Sequence, residues 1–251
     1  MMNKWLVSGL LVFVLLFTLT NVKNRQDSAS VNQSPTPHPP QSVAVKMADG
    51  LEIKGDFYTS NAAEKSPAAL LLHQFGGSSY DWRDFAALLV QKGYNVLAVD
   101  LRGHGMTRGK TDWKMAQTDT VALMQWLREQ PTIDPARVAV MGASVGANLA
   151  LRGCADDDLC RVAIALSPGL SFYGIVAKDA ISGMKNKNIL LAASQKDLQS
   201  GEPTKYLTIY APPSVNILTR VYANSGMHGM GLFTFDEMTP LIMQWLDKYN
   251  S

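Results

Sequence analysis

One stretch constrains this chain more than any other: Arg137-Val-Ala-Val-Met-Gly-Ala-Ser-Val-Gly-Ala-Asn-Leu-Ala-Leu-Arg152. Its first half is apolar and carries β-branched Val138 and Val140, the pattern of a buried strand. The strand runs into Gly142-Ala143-Ser144-Val145-Gly146, and a helical pattern begins at once. A turn this tight leaves no room for side chains beside the neighbouring strand and helix, so Gly142 and Gly146 carry none. The same geometry lifts the Ser144 hydroxyl out of the sheet, over a helix N-terminus whose free N–H groups and dipole favour negative charge. Gly-x-Ser-x-Gly between a strand and a helix is the setting of a nucleophilic serine.

The rest of the chain supplies a sheet for that turn. Ser42–Met47 and Leu51–Thr59 read as a hairpin around Asp49-Gly50, and 68–73 and 94–100 as buried strands. Helical patterns cover 80–92 and 118–129. Beyond the elbow, 161–167, 188–194 and 215–222 read as strands and 235–248 as a closing helix. Apolar strands alternating with helices predict an α/β architecture: a mostly parallel sheet of about eight strands with helices on both faces. At 251 residues and 47% hydrophobic, the chain can bury one large core. Its net charge of +2, with no basic block in the body of the chain, excludes an extended nucleic-acid surface.

The N-terminus is of another kind. From Trp5 to Val22 the chain is uncharged and has no polar face, so residues 1–22 read as a signal peptide or an uncleaved membrane anchor. At about 1.5 Å per residue the run nearly crosses a hydrocarbon core of about 30 Å. The small residues Ser28-Ala29-Ser30 stand far from it for a cleavage site, which favours the anchor. Residues 23–41 are polar and end in a proline-rich tether, leaving 42–251 as the folded domain, expected outside the cytoplasm. Cys154 and Cys160 lack the partner set of a zinc site. Exported, they would close a small disulfide loop; in the cytosol they would stay free thiols, and the N-terminal run favours the first.

Three motifs now stand in order: His73-x-x-Gly76-Gly77, Asp100-x-Arg102-Gly103-His104-Gly105, and the serine turn. With them the chain from about Val43 resembles an α/β-hydrolase, of the compact kind related to dienelactone hydrolases and small serine carboxylesterases. The resemblance implies that fold without a large cap domain, and a Ser-His-Asp acyl-transfer mechanism with no metal or organic cofactor. A serine needs a base, and the base needs a group to hold its tautomer. His38 lies in the tether, His73 looks structural, and His104 reads as a turn residue. His228, in a Gly-rich loop between the last strand and last helix, falls where the family carries its base. Asp197 follows a strand end between Ser144 and His228 and is the expected acid; Asp156, Asp157 and Asp158 precede their strand, and Asp179 lies on a helical segment.

The family's oxyanion donors map to the backbone N–H groups of Val145 and Phe75. Gln74 departs from the glycine usual after the first motif's histidine, and the nucleophile is serine where the family's namesakes use cysteine. Only 168–187 separates the sixth sheet strand from the next, room for about one helix, so an open site is expected. Phe75, Met106, Phe172, Tyr173, Met227 and Met230 are candidate lining residues for a largely neutral carboxylic ester or thioester. A peptidase or acyltransferase on the same three residues, or a non-catalytic binding module, are the competing readings.

Overall fold

The computed structural model describes residues 39–250. The apolar run over 5–22, the tether up to His38 and the C-terminal Ser251 lie outside them. Among the described residues no helix is long and apolar enough to cross a membrane; the anchor expected over 1–22 lies outside them.

The chain enters through the expected hairpin, β1 (Gln41–Lys46) and β2 (Glu52–Tyr58), with Gly50 at positive φ in the connecting turn. β3 (Ser66–Leu72) follows, then a single 3-10 turn (Ser79–Trp82) and α1 (Arg83–Gln91). Next come β4 (Asn95–Val99), α2 (Trp113–Arg128), β5 (Ile133–Ala143) and α3 (Val145–Asp156). β6 (Val162–Leu166) leads to a miniature hairpin, β7 (Ser171–Phe172) and β8 (Ile175–Val176), and to α4 (Ala177–Gly183). β9 (Asn188–Ser194), α5 (Gly201–Ile209), β10 (Asn216–Tyr222), a 3-10 turn (Gly229–Thr234) and α6 (Met238–Tyr249) complete it.

Eight strands form one sheet in the order β1-β2-β4-β3-β5-β6-β9-β10, parallel from β4 to β10, with the first two antiparallel at the edge. Period-two alternation sorts β3 between two cores: Ala68, Leu70 and Leu72 join the face covered by α2, α3 and α4, while Ala69 and Leu71 join the face covered by α1 and α6. Chain order reverses direction at β3, which has β4 on one side and β5 on the other. The carboxyl ends of parallel strands at such a reversal form a crevice, the usual ligand position in an open α/β sheet.

Several expected elements need correction. α2 begins at Trp113 rather than 118, because the Asp112 side chain caps it by accepting the Met115 N–H at 2.9 Å. The 80–92 helix is a 3-10 turn followed by a shorter α-helix, the closing helix begins at Met238 rather than 235, and the first strand starts at Gln41. The segment after β6 holds a hairpin as well as a helix. α5 has no counterpart in the sequence reading; its apolar pattern is weak, with buried Leu207 but exposed Tyr206 and Ile209.

Cys154 and Cys160 are joined as a disulfide, closing the C-terminal end of α3 onto the start of β6. The buried Lys187 ammonium fills this corner, donating to the carbonyls of Asp157 and Cys160 at 2.7 Å each.

Candidate active site

Ser144 sits between β5 and α3 with φ 54° and ψ −118°, backbone angles that an L-residue adopts only under constraint. The constraint is visible on both sides. A Cβ on Gly142 would run into the Gly146 carbonyl, and one on Gly146 into the carbonyl oxygens of Leu72 and His73. The Ser144 N–H donates to the Leu166 carbonyl of β6 at 2.8 Å, and Ala147 N–H donates to the Ser144 carbonyl at 2.9 Å. Val145 is the first residue of α3, so its N–H has no carbonyl one turn back.

Two loops close on this serine. The first follows β3. Buried His73 donates from Nδ1 to the Gln74 carbonyl at 2.7 Å and accepts the Leu101 N–H at Nε2 at 2.9 Å; those partners assign a neutral ring. Burial pushes its pKa below the ordinary histidine value, in keeping with that neutral state. The Gln74 carbonyl also accepts the Gly77 N–H at 3.0 Å, so the loop carrying Phe75 is tied at its base. His104 bonds the Arg102 carbonyl through Nδ1 at 2.9 Å, the turn role expected of it, and packs its ring 5.6 Å from that of Phe75.

The second loop follows β10 and carries His228. Lys196 N–H donates to the Ser225 carbonyl at 2.7 Å, and Gly229 N–H to the buried Ser167 hydroxyl at 2.9 Å. Asp197, buried in the turn after β9, meets His228 Nδ1 through Oδ2 at 2.7 Å. His228 Nε2 meets Ser144 Oγ, also at 2.7 Å. Three side chains from three strand ends therefore form one unbroken hydrogen-bonded row. Of the carboxylates set aside by position, Asp157 pairs with Arg128 at 2.6 Å and Asp179 lies on α4.

A cleft of about 450 Å³ opens over the row, lined by Gln74, Phe75, Ser144, Ser171, Phe172, Tyr173, Gln199 and His228. No carboxylate, lysine or arginine lines it, consistent with an uncharged occupant. Phe75, Phe172 and Tyr173 are there as expected, but Met106, Met227 and Met230 are not. Met106 borders a separate depression beside Asp100, whose carboxylate accepts its N–H. The Met230 backbone is committed to Gln74.

The short 168–187 segment, expected to leave the site open, contributes one wall to it. Tyr173 (φ 51°) and Gly174 (φ 85°) form the two-residue turn of the β7–β8 hairpin, left-handed at both positions. The Tyr173 ring stacks on Trp113 at 5.0 Å and lies 5.5 Å from Phe75, walling one side of the cleft. Asn148 of α3 holds the base of this hairpin, donating to the carbonyls of Gly169 and Ile175. Ser171, Gln199, Trp113 and Ser167 went unnoticed in the sequence; a Tyr-Gly pair between short apolar runs was the one available signal.

Residues 67–183 match the family model described as alpha/beta hydrolase fold. Among solved structures, the chain superposes on the Pyrococcus furiosus esterase Pf2001 with a TM-score of 0.72 at 20% identity, covering 84% of this chain and 91% of that one. A dienelactone hydrolase from Anabaena variabilis gives a TM-score of 0.67 at 21% identity, covering 85% and 100%. In sequence it is similar to the thiohydrolase aneE of Aspergillus aculeatus, 29% identical over 170 residues, 64% of this chain and 53% of that protein. The chain spans about half the length of the curated relatives it matches.

Proposed function

For a chain that carries the α/β-hydrolase fold, we propose a serine hydrolase that cleaves a carboxylic ester or thioester. The observation that carries this reading is the row Ser144–His228–Asp197, bonded at 2.7 Å at both links. Phe75 and Val145 are its proposed oxyanion donors.

In the cycle, His228 Nε2 takes the Ser144 hydroxyl proton as Oγ attacks the carbonyl carbon. Asp197 holds Nδ1–H and stabilises the imidazolium while it lasts. The oxyanion rests on the N–H groups of Phe75 and Val145, donors fixed before the charge develops. Collapse expels the alcohol or thiol, which leaves with the proton from His228, and an acyl group stays on Ser144. Water then repeats the sequence in reverse, deprotonated by His228, and frees the acid. The steps use side chains, backbone and water alone. An uncharged aromatic and amide lining fits a neutral ester of small or medium size.

Ser144→Ala removes the attacking atom and leaves the backbone as it is. Turnover of p-nitrophenyl acetate and of a short acyl thioester should fall by at least about 10⁴-fold, with the melting temperature nearly unchanged. Turnover that survives in the variant would refute the assignment.

We further propose that the domain works outside the cytoplasm, tethered or exported through residues 1–22. The Cys154–Cys160 disulfide supports this, since such bonds persist in oxidising compartments. Fractionation of cells expressing the full chain checks it; recovery of the protein in the cytosol with both thiols free would overturn it.

A further inference from the structure

Gln74 departs from the family pattern and lines the cleft, and its side chain has a specific occupation. Its Oε1 accepts the Met230 N–H at 3.0 Å, across 156 residues of sequence. A backbone N–H faces that atom, so the amide oxygen and not its nitrogen must sit there, and the orientation of the group is settled. The base from which the side chain projects is fixed as well. Gln74's own carbonyl is held by His73 Nδ1 and by the Gly77 N–H. Among the described residues this is the one hydrogen bond joining the loop after β3 to the loop that carries His228.

Gly229 is shaped around the same contact. It has φ 53°, and a Cβ there would overlap Gln74 Oε1. The two residues after His228 thus give their N–H groups to side chains from two different strand ends. Gly229 bonds Ser167 Oγ beyond β6, and Met230 bonds Gln74 Oε1 beyond β3. The first bond sets the histidine loop against the floor of the site, and the second sets it against the neighbour of Phe75.

We infer that Gln74 is a positioning residue: its side-chain amide locks the loop bearing His228 to the loop bearing Phe75, so that base and oxyanion donor address one substrate carbonyl in register. The inference rests on the reading of Ser144, His228 and Phe75 given above. Two groups that act on one reacting centre must keep their separation within a fraction of an ångström. An error of about 1 Å costs about a hundredfold in rate. A single bond between two otherwise separate loops is where such a separation can be set.

The test compares Gln74→Met, which keeps length and loses the acceptor, with Gln74→Glu, which keeps both. Gln74→Met should lower kcat on p-nitrophenyl acetate by about tenfold to a hundredfold, with KM and melting temperature close to wild type. Gln74→Glu should recover most of that loss. Hydrogen exchange at the Met230 amide reads the tether without turnover: faster in Gln74→Met, protected again in Gln74→Glu. Equal Met230 exchange in all three proteins, or a kcat in Gln74→Met equal to wild type, would overturn the inference. A wild-type protein inert on every ester would instead count against the hydrolase reading, and the exchange experiment would still decide whether the tether exists.

Discussion

Ser144 and His228 meet at 2.7 Å, yet the chain fixes them by opposite means. The serine is held by its own backbone. Within five residues, two glycines, a strand end and a helix start leave it one conformation, and the atoms that would collide with any added carbon are carbonyl oxygens of the sheet and helix. The histidine sits in a loop with no regular structure before it, and distant groups hold it: Asp197 on the ring, Ser167 and Gln74 on the two residues that follow. One position is set by steric exclusion and the other by hydrogen bonds. Damage to the first should unfold the centre of the sheet, whereas damage to the second should misalign a folded protein.

Gly146→Ala is the harshest test of that contrast. Its Cβ would strike the carbonyls of Leu72 and His73, which belong to the central strand and its end and cannot rotate away. A loss of about 4 kcal/mol or more is expected, a fall of roughly 8–16 °C in melting temperature. A variant that melts like wild type would show that the elbow is looser than its sterics imply.

Gly229→Ala probes the other region. There the clash is with the end of the Gln74 side chain, which can swing aside, and the left-handed backbone adds about 1–2 kcal/mol of strain. The protein should fold, with turnover reduced by about tenfold to a hundredfold. Adding Gln74→Ala should cost less than the two single effects combined, because both act through one contact. Strict additivity of the two would separate them and weaken the positioning account.

A third prediction concerns the loop that bears Phe75. His73 is buried and neutral, and its pKa lies below the ordinary 6.5 because burial disfavours the imidazolium. The unfolded chain therefore takes up a proton at a higher pH than the native one. His73's contribution to stability is complete above pH 6.5 and is lost as pH falls toward the depressed native value. Melting temperature should decline on acidification below that point, and less steeply in His73→Asn. Identical pH slopes in the two proteins would mean that His73 is not the group being titrated.

The same contrast explains what the sequence disclosed. The elbow is local chemistry, so strand, turn, helix and Ser144 could be read from sixteen consecutive residues. The sheet was legible because its central strands are apolar along most of their length. Asp197 and His228, which meet Ser144 in one bonded row, were reachable from their places after strand ends in the chain order that the resemblance implies. Contacts made by ordinary polar residues across long separations were not. Nothing in the letter Gln at 74 tells that it bonds position 230, and Ser167 and Asn148 give no motif. The hairpin at Tyr173 was hidden because strands of two residues lie below the length at which alternation can be seen. Trp113 was missed because the start of α2 depends on one capping carboxylate, Asp112, and not on its apolar face.

The central claim is that Ser144 is a nucleophile because His228 accepts its proton. The most direct measurement is labelling by a serine-directed fluorophosphonate, with the adduct mapped by mass spectrometry in wild type and in His228→Gln. One adduct on Ser144 is expected, forming at least about a thousandfold more slowly in the variant. Label on another residue, or labelling of Ser144 at an unchanged rate without the imidazole, would contradict the account.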